Sequence, residues 1–315
     1  EDRVKGYRNF LNKIWNANRF LNLNNCEIVK NIKIKDIKLD INKWIYFELV
    51  KTSNEVQKSI SNFRFDEASR ILYQFVWHTY CDWYLEFLKP IFDSSNKTFL
   101  KESRNIASYI HYNILIMLHP FIPFFTEKVW LDLKLNKKLK TPLMQKDWNL
   151  PFKPNDRFKK SFEKIDWIIK LVTSIRSTKV DLDVSPGDFI DVSIHELDKK
   201  KKNIIVDNIS VFKSLGRIRN IDEKKLGRQG INIIVGVETI TLYFSDSINL
   251  SNQKLKLSKK FKELENKVSN LSNKLKNKSF LGNAPKTIVL RDKKSLIDYK
   301  IELKKLNSIL NSINN

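Results

Sequence analysis

Residues 63–90 read FRFDEASRILYQFVWHTYCDWYLEFLKP, and their composition is the starting point for predicting the fold class. Thirteen of the eighteen residues in positions 71–88 are apolar or aromatic, and neither Gly nor Pro interrupts them. A helix that is apolar on almost every side must be surrounded by other helices or by lipid. His78, Asp82 and Glu86 recur every four residues and form one polar stripe, which argues against lipid. We therefore expect the central helix of a soluble helical bundle.

Helical patterns also flank this stretch. The central helix itself is expected to start after an N-cap at Asp66 and to stop near Pro90, because a carboxylate caps a first turn well and proline breaks a helix. Apolar residues at three- and four-residue spacing predict further helices over Val4–Leu23, Asn42–Asn62, Thr98–His119, Phe124–Leu133 led by Pro123, and a segment through Phe158 and Val172. These helices together predict a bundle over residues 1–178.

The overall composition limits the class of partner. The 315 residues carry 58 basic and 35 acidic side chains, a formal net charge of +23. Such a balance favours a polyanion, with nucleic acid first and an acidic membrane surface second. Lysine, asparagine and isoleucine are all abundant, so AT-rich codon usage also accounts for part of the charge. The two cysteines are too few for a disulfide framework or a zinc site, and without a signal sequence or an apolar span of transmembrane length we expect a cytoplasmic location.

The pattern changes after Ser185-Pro186-Gly187. Short alternating runs predict strands, and the segment Ile204–Leu215 between them predicts a helix. The predicted strands are Phe189–Ile194, Ile231–Val235 and Thr239–Phe244. Residues 179–249 are therefore expected to form a small α/β connector.

Residues 250–315 show a heptad pattern. Apolar residues step alternately by four and three through Leu257, Phe261, Leu264, Val268, Leu271 and Leu275, and again through Leu296, Tyr299, Leu303, Leu306, Leu310 and Ile313. Two such stripes joined by a short link predict an antiparallel two-helix coiled coil, whose first helix would be about 40 Å long. Positions 251–315 have a net charge of +11, nearly half of the total.

Several segments of the chain resemble segments of one known family. They are GYRNFLNKIWNANRF at 6–20, FRFDEA at 63–68, FVW at 75–77 with CDWYLE at 81–86, LHPFIPF at 118–124 with Thr126, Glu127 and Trp130, and Asn277, Phe280, Ala284 and Pro285 between the heptad helices. The family that they resemble is the valyl-tRNA synthetases. These segments cover most of the chain in the family's order. The sequence departs from the pattern in the connector, where the family's paired glycines are reduced to Val235-Gly236-Val237.

The resemblance implies a mostly α fold: an anticodon-binding helical bundle, a small α/β connector and a C-terminal coiled-coil arm that binds tRNA. The bundle alone would also suit isoleucyl- or leucyl-tRNA synthetases, but isoleucyl enzymes commonly end in a cysteine-rich zinc module, and the heptad arm favours the valyl enzyme. The family's His-Ile-Gly-His and Lys-Met-Ser-Lys-Ser motifs are absent from these residues. By resemblance they lie upstream, in a catalytic domain that binds ATP and Mg²⁺, so we expect no catalytic residue, cofactor or metal in this chain. The expected partners are valine tRNA and that catalytic domain, with no membrane.

The resemblance also directs the choice of candidate site residues. Anticodon binding needs a basic surface for phosphates and an aromatic platform for an unstacked base. The end of the first helix and the start of the second provide such residues: Arg19, Lys43 and Trp44, with Lys13 and Asn16 one or two turns earlier. The alternatives are that Trp44 is a core residue and Arg19 a solvated charge.

On the arm, a lysine stripe would contact the tRNA backbone. Its members are Lys259, Lys260, Lys267, Lys274 and Lys278, and the alternative is a merely solvated coiled-coil face. A rival from another class is a non-enzymatic helical adaptor whose basic coiled coil binds acidic membranes or a partner helix.

Overall fold

The computed structural model describes residues 2–27, 32–132, 141–151, 156–227, 229–244, 250–277, 280 and 286–314. The chain divides into two compact units, residues 1–169 and 170–315. The finer division into 1–178, 179–249 and 250–315 stays a prediction. Among the described residues, no helix is both long enough and apolar enough to cross a membrane.

The first unit is a bundle of helices, as the periodicity predicts. Its helices are α1 (Asp2–Leu23), α2 (Asp40–Ser61), the composite α3 described below, α4 (Lys97–Leu118), α5 (Pro123–Asp132) and the first part of α6 (Lys159–Asp181). Pro123 begins α5, where its missing N–H costs no helical hydrogen bond. The side chain of Asn96 caps α4 by accepting hydrogen bonds from the backbone N–H groups of Thr98 and Phe99, both at 3.1 Å.

Helix α3 is the predicted central helix, and it is built from three parts. These are an α-helical start at Phe65–Gln74, a π-helical middle at Phe75–Tyr84 and an α-helical end at Leu85–Phe92. The N-cap prediction was wrong, because Asp66 lies inside the first turn and pairs with Arg64 at 3.3 Å. The predicted stop near Pro90 is confirmed to within two residues, since Pro90 lies in the last turn and the helix ends at Phe92.

The surroundings of α3 explain its apolar composition. Helices α1, α2 and α4 all pack against it, and Tyr80 and Tyr84 are almost completely buried. Their hydroxyl groups need partners, because a buried polar group without a hydrogen bond is costly. Tyr84 donates to Asn42 Oδ1 at 2.9 Å, and the Tyr80 oxygen lies 3.1 Å from His111 Nδ1. The core is thus apolar, with a few polar side chains hydrogen-bonded to each other.

The second unit contains a four-stranded sheet. Its strands are β1 (Ile190–Ser193), β2 (Ile218–Asp222), β3 (Ile231–Val235) and β4 (Glu238–Tyr243), in the order β2-β1-β4-β3. Strands β1 and β2 are parallel, and two helices connect them, α7 (Lys199–Asp207) and α8 (Ile209–Gly216). The other strand pairs are antiparallel. The three predicted strands are present, the single predicted helix is two helices, and β2 was missed.

Two long helices complete the second unit, α9 (Leu250–Lys276) and α10 (Lys286–Asn314). They pack on each other, and their cross-contacts run in opposite directions along the two helices. Lys260 reaches Glu302 at 3.1 Å, whereas Lys274 reaches Asp292 at 2.8 Å. The pair is therefore antiparallel, as predicted. The heptad residues Leu257, Leu264 and Leu306 are buried, while Ile313 has a side chain outside the described set.

Helix α10 has a second partner within this unit. It packs on strand β3, and Ile309, which is not a heptad seam position, is buried. The paired helices are thus joined to the sheet through α10.

Candidate nucleic-acid interface

One edge of helix α1 is polar and exposed to solvent. Phe10, Ile14, Ala17 and Leu21 recur every three or four residues and are buried, so the opposite edge of α1 faces solvent. That edge carries four exposed polar residues near the middle and end of the helix: Asn9, Asn12, Asn16 and Arg19. In the described part of the chain, Arg19 forms no ion pair with an acidic group. Its guanidinium is therefore available to a phosphate or a base.

Lys13, by contrast, is engaged by side chains of α3. Its Nζ pairs with Asp82 of α3 and lies 4.1 Å from the centre of the Trp77 ring, a cation–π contact. His78 Nδ1 lies 3.2 Å from the other oxygen of Asp82. The charge of Lys13 is thus compensated within the bundle, and its side chain ties α1 to α3.

Lys43 belongs to another compensated cluster, around Asp40 at the start of α2. Its Nζ lies 3.9 Å from Asp40 Oδ1, while Ser161 and Lys164 of α6 donate hydrogen bonds to Asp40 at 2.7 and 2.8 Å. Burial alone would raise the pKa of Asp40, but the hydrogen bonds from Lys164 and Ser161 bring this pKa below its usual value. Asp40 stays ionised, so Lys43 shares its carboxylate with Lys164.

Trp44 lies in the core, which corrects its predicted role as a stacking platform. Only 3% of its surface is exposed, and its ring packs edge-on against Phe87 with 5.6 Å between ring centres. A ring enclosed in this way offers no face to a base. The helical spacing of apolar residues in α2 could have indicated this burial, because Trp44 stands three residues after the buried Ile41 on the core side of α2.

The predicted anticodon residues consequently divide into two groups. Asn16 and Arg19 lie exposed on α1, whereas Lys13, Lys43 and Trp44 are engaged inside the bundle. Among the described residues, no hydrogen bond, ion pair or ring contact joins Arg19 to Lys43 or Trp44. The exposed group is what remains available to a nucleic acid.

The lysines predicted on the arm divide in the same way. Lys260 pairs with Asp181 at 3.2 Å and with Glu302 at 3.1 Å, and Lys274 pairs with Asp292 at 2.8 Å. Lys259 and Lys267 are exposed on α9, and Lys267 also lies 5.9 Å from the centre of the Tyr299 ring. Lys278 lies outside the described residues.

The described residues contain no cluster of three or more His, Cys, Asp or Glu side chains that could hold a metal ion. Both cysteines, Cys26 and Cys81, are buried. Burial raises the pKa of each thiol to about 12, so neither is a thiolate at neutral pH.

A comparison with protein-family models matches residues 42–194 to the anticodon-binding domain of tRNA ligases. The match begins in α2, includes the whole of α3 and extends to Ile194, just after β1. It therefore covers most of the bundle and the start of the second unit.

The chain is similar to several curated proteins named valine–tRNA ligase. The valine–tRNA ligase of Pelagibacter ubique is 40% identical over 309 residues, which are 98% of this chain and 35% of that protein. The chain is similar to a valine–tRNA ligase along almost its whole length. Two further valine–tRNA ligases, from Rhizobium meliloti and Brucella suis, are each 32% identical over 99% and 95% of the chain and 33% of their own length.

The chain thus spans about a third of the length of these valine–tRNA ligases. The similarity runs through the bundle, the sheet and the paired helices alike, since it covers nearly every residue. The comparisons give no support to the alternative of a non-enzymatic adaptor.

Proposed function

We propose that this chain is the tRNA-binding portion of a valine–tRNA ligase, the enzyme that attaches valine to its tRNA with ATP. The observation that carries the proposal is the combination of the anticodon-binding match over residues 42–194 with valine–tRNA ligase relatives along 98% of the chain. The bundle recognises the anticodon of valine tRNA, and the paired helices α9 and α10 contact its backbone.

The exposed charges support this assignment. A net charge of +23 attracts a polyanion, and Arg19 presents a planar guanidinium that can bind a phosphate with two hydrogen bonds or stack on a base. Asn16 stands one turn earlier on the same exposed edge of α1 and adds a donor and an acceptor for a base edge. Lys259 and Lys267 add phosphate contacts on α9.

Valine activation belongs, in this proposal, to a catalytic portion of the same protein that lies outside these residues. That portion binds ATP and Mg²⁺, works in the cytoplasm with the chain described here, and is its second partner. The purified chain is therefore expected to show no valine-dependent exchange of pyrophosphate into ATP. Pyrophosphate exchange above background would contradict the assignment of valine activation to that other portion.

Binding of labelled tRNA to the purified chain tests the anticodon assignment directly. We expect Arg19→Gln to weaken binding of valine tRNA by about 1–3 kcal/mol and to reduce the preference over a tRNA with a changed anticodon. Arg8→Gln is the matched control, because Arg8 is an exposed arginine on the same helix, three turns earlier. Equal losses for the two variants would indicate only a general effect of charge.

A further inference from the structure

The turn between α2 and α3 has an unusual residue at its tightest point. The backbone N–H of Phe63 donates to Ile60 O at 2.9 Å, and that of Arg64 donates to Ser59 O at 2.8 Å, the two hydrogen bonds of a Schellman motif. Phe63 occupies the left-handed position of this motif, with a φ of 57°, where glycine is usual. A large side chain held in a strained backbone position is a reason to look for a function.

The strain is not compensated by burial of the ring. The Phe63 side chain is 81% exposed, and that of Phe65, two residues later, is 54% exposed. Asn62 and Arg64, the two chain neighbours of Phe63, line a groove of about 550 Å³ between α2 and α3. Large exposed aromatic rings such as Phe63 and Phe65 are typical of a surface that another molecule covers.

The charges around this groove balance each other. Arg64 lies 3.3 Å from Asp66 and 3.9 Å from Glu67, and Arg70 lies 3.7 Å from Glu67. Lys51, Glu55 and Lys58 line the same groove. In a chain of net charge +23, this surface is therefore nearly neutral, and it lacks the excess of positive charge that attracts RNA.

The direction of α1 places its beginning at the same end of the bundle. Phe10 stacks on Tyr73 with ring centres 5.0 Å apart, and Phe20 stacks on Phe92 at 5.7 Å, so α1 runs parallel to α3. The first residues of α1 therefore lie toward the start of α3, which is also the end of α3 that follows the Phe63–Phe65 turn. Tyr7, one turn before Phe10, is 65% exposed and adds a third aromatic ring at this end.

We propose that Tyr7, Phe63 and Phe65 form the surface on which the catalytic portion of the parent ligase docks. The inference rests on the proposed function, which places that portion in the same polypeptide. About two thirds of the length of the relatives lies outside the matched region, enough for a large folded partner. Because α1 starts at this end of the bundle, a catalytic portion that precedes α1 in the parent ligase would be joined to the bundle at the same end as the three rings.

A protein fits this surface better than RNA does. Aromatic residues and arginine are enriched at protein–protein interfaces, and arginines already paired with carboxylates bring little net charge into the contact. An RNA site would instead need cations that are not neutralised by neighbouring carboxylates. The exposed edge of α1 near Arg19 has that character, and the Phe63–Phe65 turn does not.

Hydrogen exchange in the full-length ligase, compared with the chain of residues 1–315, tests the proposal. We expect the backbone amides of residues 59–67 to exchange at least about tenfold more slowly in the full-length protein without tRNA. The double variant Phe63→Asn and Phe65→Ser should return this exchange to the rate of the isolated chain, because asparagine accepts the left-handed backbone and serine removes the second ring. Phe124→Asn is the matched control, since Phe124 is 91% exposed on α5; it should leave the protection unchanged.

Two readouts keep the outcomes distinct. The melting temperature of the double variant of the 1–315 chain should stay within about 2 °C of the wild type, because the rings contribute little to the core. Equal exchange rates in the full-length protein and the isolated chain would overturn the proposal, and protection that appears only after tRNA is added would assign the surface to RNA instead. Failure of the chain to bind tRNA would refute the proposed function while leaving the difference in exchange intact.

Discussion

Burial of single side chains decides which residues can act in recognition and which hold the bundle together. Trp44 packs against Phe87 inside the bundle. We expect Trp44→Ala to lower the free energy of unfolding by about 3–5 kcal/mol, because a large cavity is left behind. Urea unfolding of the chain, followed by circular dichroism, measures the loss. Phe124→Ala, at an exposed ring, is the control and should change the same quantity by less than about 0.5 kcal/mol.

A second prediction at this scale concerns pH and His111. Burial lowers the pKa of His111 to about 4, while the unfolded chain has the ordinary value near 6.5. Between these two values the unfolded state binds more protons, so the free energy of unfolding falls as pH decreases from 6.5 to 4. His111→Gln keeps a polar side chain and removes the titration. The wild type should therefore lose up to about 3 kcal/mol more than the variant over this range. Parallel pH profiles for the two proteins would show that His111 does not carry this dependence.

At the scale of helices and strands, the apolar periodicity predicted the elements whose pattern repeats along the chain. It missed the elements that form only by pairing with residues distant in the sequence. The heptad spacing of Leu257, Leu264 and Leu306 predicted the antiparallel pair, because a repeated seam needs only local sequence. Strand β2 reads IRNID and shows no apolar alternation; it is a strand because its backbone pairs with β1. The apolar spacing likewise did not indicate the π-helical part of α3 at Phe75–Tyr84.

The seam itself can be tested on α10. Leu306 is fully buried, and we expect Leu306→Ala to destabilise the α9–α10 pair by about 2–5 kcal/mol. Leu290 is an exposed leucine on the same helix, and Leu290→Ala should have an effect below about 0.5 kcal/mol. Hydrogen exchange of the amides in α9 and α10 reports the local stability of the pair. Similar acceleration in both variants would argue against a specific seam.

At the scale of the whole molecule, the formal net charge differs from the charge that is free to interact with a tRNA. Lys13, Lys43, Lys260 and Lys274 all sit within 4 Å of carboxylates, so the formal value of +23 overstates the positive field that a tRNA meets. The sequence could show where lysines concentrate, but the pairing of each one depends on helices brought together by folding. The exposed lysines on α9 are consequently a better guide to contacts with the tRNA backbone than the net charge of the whole chain.

The salt dependence of tRNA binding measures those contacts. Removal of the whole arm would be a poor test, because α10 also packs on β3 and its loss would disturb the sheet. Lys259→Gln with Lys267→Gln removes two exposed charges from α9 and leaves the pairs of Lys260 and Lys274 intact. If each lysine contacts one phosphate, the slope of log affinity against log salt should decrease by roughly 1.4–1.8, while discrimination between anticodons survives.

The matched control removes the same charge elsewhere in the second unit. Lys199→Gln with Lys200→Gln changes two exposed lysines at the start of α7, away from the paired helices in sequence. A general effect of net charge acts at long range and would lower the affinity of both double variants alike. Direct neutralisation of phosphates releases counterions, whereas a distant charge acts only through the screened long-range field, so the arm variant should show the clearly larger decrease in slope. Identical slopes for the wild type and the arm variant would mean that α9 does not contact tRNA, and its lysines would then be a solvated coiled-coil face.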